Sequence, residues 1–360
     1  MAISVLTQGV KRYYADQNAA LMGKQLDAVL FPIQDNSPNA TVRLDTYTGN
    51  GFALSSIRQG EPSVAVAYAP GTGYEHEVLA YKRKTPIGEQ LRDAVVAGIE
   101  ATSPQSAHVR RAIEQIIGGP KGFIAANKMM RNKMALDVYL TGKMVNYDAA
   151  GNSDEVDFGR AGALTKTYDF STSGNSFDDA IRDQYNAMRA YGVPQSKLAV
   201  ILGADWLHEF EVDGTVIEKR KATAFGSYVV ENMVPSQFQG TEGLQVIGRY
   251  NVDGMVAPIW ILAYSPDWQY RATDGGSLEE YMPSTKMVMF DIGGMAWRCN
   301  RGIDVLDPRG NIVRRVGDLV IDSFKQDDPP VEWIRATCRP FYIRGNINHT
   351  SVCTGSNFTA

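Results

Sequence analysis

The stretch PKGFIAANKMMRNKMALDVYL, residues 120–140, decides the fold of this chain. Its apolar residues recur every three or four positions, which is the period of a helix with one apolar face. They are Phe123, Ala126, Met130, Met134 and Val138. Gly122 is the one breaker inside the stretch and Gly142 follows it. At about 1.5 Å per residue it makes a rod of roughly 30 Å. The sequence therefore predicts one long helix, with three cations on its surface: Lys128, Arg131 and Lys133.

Before this helix the chain is extended and poor in large apolar residues. Residues 1–45 alternate short apolar clusters with breakers, which is typical of an arm that lies on another element. From Thr46 to Lys84, two extended runs at Val64–Tyr68 and Val78–Arg83 flank a turn at Pro70–Gly73, which predicts a long hairpin. Isolated hairpins are marginally stable in water, so this one needs a neighbour.

After the helix, strand and helix patterns are mixed without βαβ alternation. A strand pair is predicted at Val145–Asp148 and Glu155–Phe158, and Ser176 caps a following helix. Lys197–Leu202 is an apolar strand that precedes a helix capped by Asp205. Further strands are predicted at Leu244–Ile247, Ile259–Tyr264, Lys286–Phe290, Ile312–Val316, Leu319–Phe324, Val331–Thr337 and Phe341–Ile343. This mixture favours an α+β fold with mostly antiparallel sheets.

Composition and charge exclude several classes of protein. The chain is 44% hydrophobic and 21% charged, which is ordinary for a globular protein and unlike a disordered one. A net charge of −4, without a block of like charges, argues against sequence-specific nucleic-acid binding. No stretch reaches the ~18 apolar residues of a membrane span. Three widely spaced cysteines (Cys299, Cys338 and Cys353) argue against a disulfide framework and indicate a cytosolic product.

The residues that could carry chemistry favour structural roles. Gly118–Gly122 precedes a helix but lacks the spacing of a phosphate-binding loop, so a helix–helix joint is the better interpretation. The acids around His208 lack the further ligands of a metal site. His349 and Cys353 have no third ligand nearby, and no activated nucleophile signature occurs. We therefore predict no catalytic residue, no metal, no cofactor and no enzymatic activity.

Four short motifs, in this order along the chain, resemble those of a known family. Leu30-Phe31-Pro32, followed by Tyr47 and Phe52, resembles an arm-to-loop junction. AYKRKTPI (residues 80–87) resembles a return strand, and YGVP (residues 191–194) before KLAVIL and GADW resembles the start of an axial domain. Residues 322–344, with VEWI, resemble a closing strand pair. Together they are similar to the major capsid proteins of tailed phages with the Hong Kong 97-type fold, within the lambda-like major capsid family.

The resemblance implies a division of the chain. It makes residues 1–45 an N-terminal arm and 46–92 an extended loop. Residues 93–170 would hold the spine helix and the first part of a peripheral domain. Residues 171–296 would be an axial domain, and 297–360 would return to the peripheral domain as strands.

The resemblance also implies a function and partners. The chain would form the pentamers and hexamers of an icosahedral shell that encloses double-stranded DNA, assembled in the bacterial cytoplasm and found in the virion. Partners would be other copies of itself, a separate scaffolding protein, a portal protein and a possible decoration protein, with no membrane. The residues expected to contact neighbouring subunits are Arg58, Glu61, Lys82, Arg83, Lys84, Lys128, Arg131 and Lys133.

Three alternatives stay open at this point. A cellular nanocompartment shell of the same fold would hold a cargo enzyme and assemble without a scaffold. A soluble α+β hydrolase would form a small fixed oligomer and carry a pocket with perturbed titratable groups. A tail-tube or connector protein would form rings or tubes instead of closed shells.

Overall fold

The computed structural model describes fourteen parts of the chain, and statements about structure concern these parts. They are residues 25–46, 72–86, 115–119, 122–147, 153–172, 175–214, 216–217, 238, 240–241, 243–265, 269–270, 277–306, 311–327 and 330–358. The helices within them are α1 (Leu26–Leu30), α2 (Phe123–Thr141), α3 (Phe177–Arg189) and α4 (Ala204–Val212).

The strands, numbered in chain order, form sheets that are mostly antiparallel, as predicted for an α+β fold. They are β1 Ile33–Ser37, β2 Thr41–Thr46, β3 Thr72–Glu77, β4 Tyr81–Pro86, β5 Lys143–Tyr147, β6 Ser153–Asp157, β7 Thr165–Asp169, β8 Leu198–Leu202, β9 Leu244–Tyr250, β10 Ile259–Tyr264, β11 Gln269–Tyr270, β12 Glu279–Glu280, β13 Lys286–Asp291, β14 Ala296–Arg301, β15 Ile303–Leu306, β16 Ile312–Arg315, β17 Val320–Asp327, β18 Pro330–Cys338, β19 Pro340–Arg344 and β20 Thr350–Ser356.

Helix α2 confirms the predicted long helix, with its first turn three residues later than expected. Phe123, Met134 and Val138 of the apolar stripe are buried, while Ala126 and Met130 are half-buried. The helix ends at Gly142, whose φ of 74° is the left-handed conformation that glycine adopts without steric cost.

The largest sheet has the strand order β7-β20-β13-β8-β10-β9. Strand β8, the predicted apolar run, lies inside it, antiparallel to β13 and parallel to β10. Every residue of β8 is buried, because the sheet is covered on both faces. Leu198, Val200 and Leu202 face a core that contains residues of α3 and α4, and Ala199 and Ile201 face the core that contains α2.

The C-terminal strand β20 belongs to this large sheet. It pairs antiparallel with β13 and parallel with β7. It therefore joins β7, in the part expected to be peripheral, to β13, in the part expected to be axial. Its side chains from Thr350 to Cys353 are buried, and it therefore fills the interior of the sheet between β7 and β13.

Two further sheets pack around α2. In the first, β14 lies between β1, which is parallel to it, and β19, which is antiparallel. In the second, β18 lies between β17 and β4, and both neighbours are antiparallel to it. Ile321, Ile334 and Ala336 of this second sheet share a small core with Phe123 and Ile124 at the start of α2.

The predicted turn of the loop hairpin is wrong where the structure describes it, whereas the predicted pairing of its two runs stays a prediction. Thr72 and Gly73, expected in the turn, are the first residues of β3, and the expected partner run Val64–Tyr68 lies outside the described residues. Strand β3 pairs instead with β2, from Thr41 opposite Glu77 to Thr46 opposite Thr72. The run Val78–Arg83 is interrupted, because residues 78–80 connect β3 to β4 and belong to no strand. Val78 in this connection is buried.

The start of α4 also differs from its prediction. Asp205 lies inside the helix, and Gly203 is the residue at the N-cap. A Cβ atom at position 203 would overlap the carbonyl oxygens of Pro283 and Ser284, so the chain passes here only as glycine. The prediction for α3 is confirmed, because the Ser176 side chain accepts a hydrogen bond from the Asp179 amide.

Candidate functional site

The candidate site is the base of the predicted loop, formed by strands β2, β3 and β4 on either side of residues 47–71. Strand β2 leaves the body before residue 47, and β3 returns at residue 72 and pairs with it. The chain then crosses to β4, which pairs with β18 from Tyr81 opposite Cys338 to Pro86 opposite Trp333. Both ends of residues 47–71 are thus held by strand pairing.

Strand β4 carries the most cationic surface of this base. Lys82, Arg83 and Lys84 are all exposed. In the part of the chain that the structure describes, no ion pair joins any of the three to an acid. Like charges on adjacent residues repel each other, so a partner carrying acids would stabilise this surface.

One of these three cations, Lys84, contacts an aromatic ring. Its Nζ atom lies 4.3 Å from the centre of the Trp333 ring, which is within the range of a cation–π contact. The residue opposite Lys84 on β18 is Arg335, and Arg335 is ion-paired with Asp322. The hydrogen bond with Asp322 raises the pKa of Arg335. Lys84 therefore borders a cation that is already neutralised.

Strand β3 carries the opposite charge. Glu75 and Glu77 are exposed and point to the same face, since side chains alternate along a strand. His76 points to the other face, where its ring lies 5.6 Å from that of Phe341. Within the described residues, neither glutamate forms an ion pair. Consecutive strands of the loop base thus present an acidic and a basic surface.

Of the three helix cations predicted to lie on the surface, Lys128 and Lys133 are half-exposed, and Lys133 pairs with Asp137 at 2.5 Å. The prediction for Arg131 is wrong, because its side chain is 1% exposed. Its Nη2 donates to Asn300 Oδ1 at 2.7 Å and to the Asp318 carbonyl at 2.8 Å. Arg131 therefore bonds within the subunit, and it is not available to a neighbour.

Two carboxylates complete the surroundings of Arg131. Its Nη1 lies 3.7 Å from Asp27 Oδ2 and 3.6 Å from Asp318 Oδ1. Burial alone would lower the pKa of Arg131, but electrostatic interactions with Tyr342, Asp318 and Asp27 raise it. The guanidinium therefore stays charged in the interior.

Asp27 connects the short helix α1 to the sheet β1-β14-β19. Its side chain is fully buried, accepts a hydrogen bond from the Tyr342 hydroxyl at 3.0 Å and lies 3.4 Å from Arg298 Nη1. Burial, followed by the charge of Asp27, raises the pKa of Tyr342 well above its usual value. This arrangement holds α1, which lies within the predicted arm of residues 1–45, against the sheet β1-β14-β19.

A second buried network joins α2 to the large sheet. Arg344 Nη1 donates to the Tyr139 hydroxyl at 2.9 Å, and Arg344 Nη2 donates to the Asp291 carbonyl at 2.6 Å. The Tyr139 hydroxyl in turn donates to the Leu30 carbonyl at 2.8 Å. His349 lies with Nδ1 3.3 Å from Asp291 Oδ2. These contacts run from α1 through α2 to strand β13.

The other chemical motifs remain structural where the structure describes them. Burial raises the pKa of Cys299 and of Cys353 to about 12, and that of Cys338 to about 11, which is the opposite of an activated thiol. No group of three metal-ligating side chains occurs among the described residues. Gly119 and Gly122 form a tight joint, with the Gly122 amide 2.7 Å from the Gly119 carbonyl. Within the described parts, no helix has the length and apolarity needed to cross a membrane.

Arg58 and Glu61 lie outside the described residues, so their expected contacts stay predictions. Sequence reasoning missed the buried networks of Arg131 and Arg344. One signal for Arg131 was present: it stands three residues before Met134 and seven before Val138, which places it on the apolar face. No comparable signal marks Arg344, which lies in a strand far from its partners in sequence.

No protein-family model matches the sequence, and no curated protein matches it. In structure, the chain is similar to a capsid protein assigned to a prophage of E. coli CFT073. That comparison has a TM-score of 0.60 at 13% identity and covers 96% of this chain and 99% of the other. The chain therefore has the α+β fold of a phage capsid protein.

Two other solved structures match with lower TM-scores. A phage-related protein from Bordetella bronchiseptica RB50 matches at a TM-score of 0.47 and 9% identity, over 98% of this chain and 96% of that one. The SrpI encapsulin of Synechococcus elongatus PCC 7942 matches at 0.42 and 7% identity, over 89% and 84%. The fold assignment rests on the prophage capsid protein alone.

Proposed function

We propose that this chain is the major capsid protein of a tailed bacteriophage, a subunit that assembles into an icosahedral shell around double-stranded DNA. The observation that carries the proposal is the similarity of fold to the prophage capsid protein over almost the full length of both chains. A shared fold does not by itself imply a shared function. The charges and strand pairing at the base of the extended loop add support that is independent of the similarity.

Shell formation by this subunit would use mutual overlap. Residues 47–71 depart and return through two paired strands, so the loop leaves the body from a rigid base. When a loop that is fixed at its base reaches over a neighbour, the surface buried there offsets the conformational entropy that the loop loses on becoming ordered. Arg58, Glu61, Lys82, Arg83, Lys84, Lys128 and Lys133 are the proposed contacts with neighbouring subunits.

The proposed division of the chain keeps the arm, loop, spine, axial and peripheral parts. The arm is residues 1–45, the loop 46–92, the spine with the first peripheral part 93–170 and the axial part 171–296. Strand β20 is added to the axial part, and the remainder of residues 297–360 is peripheral. The large sheet supports this change, because β20 pairs with β13 along five residues.

The proposed partners follow from the shell. They are other copies of the chain in pentamers and hexamers, a separate scaffolding protein, a portal protein and a possible decoration protein. Assembly would take place in the host cytoplasm, and the final location would be the virion.

Electron microscopy tests the proposal. The purified chain is imaged alone and after expression together with a candidate scaffolding protein. Closed shells or sheets of hexamers under either condition are the expected result. A uniform small oligomer under both conditions would overturn the proposal, and tubes would indicate a tail protein instead. DNA recovered from nuclease-treated shells separates a phage shell from a cargo-holding compartment.

A further inference from the structure

The base of the predicted loop has two charged surfaces that form no ion pair with the side chains that the structure describes. Glu75 stands opposite Arg43 of β2, whose side chain lies outside that description. The acidic surface is Glu75 and Glu77, which share one face of β3. The basic surface is strand β4, with Lys82 and Lys84 exposed on one face and Arg83 exposed on the other. The chain between Glu77 and Lys82 can span at most about 17 Å, at about 3.4 Å per residue. Opposite charges thus lie close together along the chain and yet form no ion pair with each other among the described residues.

The strand pairing explains why the two surfaces stay apart. Strand β3 is hydrogen-bonded to β2, and β4 is hydrogen-bonded to β18, in separate sheets. The link between them is anchored by Val78, which is 1% exposed. Neither strand can turn toward the other without breaking its own pairing, so the acidic surface on β3 and the basic surface on β4 of one subunit stay separate.

We propose that the acidic surface of one subunit pairs with the basic surface of an adjacent copy of the same chain. This deepens the proposed function and rests on it, since it names the contact that orders neighbouring subunits. A head-to-tail contact between two different surfaces of identical chains closes into a ring when its rotation is right, which is what a pentamer or hexamer requires. Ion pairs at the solvent-exposed edge of an interface affect the orientation of the two subunits and their rate of association more than their affinity.

A second acidic surface of the chain is a weaker candidate for contact with the basic surface on β4. Glu155 and Asp157 on β6 are exposed, but both already lie within ion-pair distance of Lys143, at 3.1 and 3.7 Å. Their charge is therefore partly neutralised inside the subunit. This surface supplies a control, because reversing its two acids changes the net charge of the chain by the same amount as reversing Glu75 and Glu77.

The test is a charge exchange measured by shell yield. Lys82→Glu with Arg83→Glu places acids opposite acids, and Glu75→Lys with Glu77→Lys places cations opposite cations. Each pair of substitutions should lower the fraction of chain in shells at least tenfold at low salt. All four together should restore at least half of the native yield. Lys84 is left unchanged because it contacts Trp333.

The matched control combines Lys82→Glu and Arg83→Glu with Glu155→Lys and Asp157→Lys. Its net charge equals that of the native chain, so restored shells here would show that only net charge matters and would overturn the pairing. Failure of the fourfold exchange, with native circular dichroism and a native melting temperature, would overturn it as well.

A direct readout separates this inference from the proposed function. Chains labelled with ¹⁴N and ¹⁵N are mixed during assembly and treated with a carbodiimide, which joins a carboxylate to an amine at no added length. A mixed-isotope cross-link between Lys82 or Lys84 and Glu75 or Glu77 supports the pairing in any assembly that forms. If native shells form without that cross-link, the pairing of the two surfaces is overturned and the proposed function stands. If small rings form with the cross-link but no shells appear, the proposed function is overturned and the pairing stands.

Discussion

Arg131 Nη2 donates to Asn300 Oδ1 at 2.7 Å, which joins the middle of helix α2 to strand β14. The two residues stand far apart in the sequence, and both are buried. Around them, Asp27 and Asp318 bring carboxylates to within 3.7 and 3.6 Å of the guanidinium. This network holds α1, α2 and the sheet β1-β14-β19 in one arrangement.

Arg131→Met should destabilise the subunit strongly. Breaking a buried ion pair from one side leaves the other charge without compensation, at about 3 to 5 kcal/mol. Urea unfolding of the isolated subunit measures the change. Lys133→Met, two residues further along the same helix, is the control and should cost less than about 1 kcal/mol, because its pair with Asp137 is partly exposed. Equal effects for the two variants would contradict a structural role for the buried network.

Asp291 should contribute stability that is lost in acid. Burial opposes its ionisation, but hydrogen bonds from His349 and the Gly293 amide, with the charge of Arg344, lower its pKa. In an unfolded chain the carboxyl group of aspartate has a pKa of about 3.9. The stability that Asp291 contributes is therefore complete above that pH, and it is lost as the pH falls through the lower pKa that Asp291 has in the folded protein. The drop in melting temperature caused by Asp291→Asn should therefore be larger at pH 6 than at pH 3.

Asp137 provides a control of opposite sign for this pH dependence. Burial raises its pKa, despite the contact with Lys133, so its ionisation costs stability as the pH rises. The difference between the melting temperature of Asp137→Asn and that of the native chain should therefore shift in favour of the variant, that is, upward, between pH 3 and pH 6. The same pH trend in both variants would contradict the assignment for Asp291.

Replacing residues 47–71 by an Asn-Gly turn should give folded subunits that form no closed shells. Thr46 and Thr72 are directly opposite each other in the β2–β3 pair, so a two-residue turn can connect them. Analytical ultracentrifugation checks that the variant is a compact, folded subunit, and electron microscopy checks that it forms no closed shells. Native-like shells from this variant would show that overlap by the loop is dispensable.

Gly203→Ala should destabilise the large sheet. The added Cβ atom overlaps the carbonyl oxygens of Pro283 and Ser284, which are backbone atoms and cannot rotate away. We expect a loss of about 1 to 3 kcal/mol in the free energy of unfolding, which is the range for overpacking. Gly162→Ala is the control, since nothing lies within 4 Å of its added Cβ. A change below about 0.5 kcal/mol at position 203 would contradict the close approach.

Elements with strong local patterns were predictable from the sequence. The helix over residues 120–140, the apolar strand at 197–202 and the late strands all appear within a few residues of their expected bounds. Their signals are apolar spacing, capping side chains and glycine at the ends, and each of these acts between residues close in the chain. The candidate site was partly predictable, because three exposed cations on a strand are visible in the sequence.

The sequence by itself determined those helices and strands that have a strong local pattern, and thereby the α+β class. Only the tertiary structure decided which strands pair: β3 with β2, β4 with β18, and β20 between β13 and β7. It also decided that Arg131 is buried, since a cation can occupy an apolar helix face only where distant residues supply carboxylates and amides. Strand partners and buried ion pairs depend on contacts between segments far apart in the chain, and local spacing carries no information about which of those segments meet.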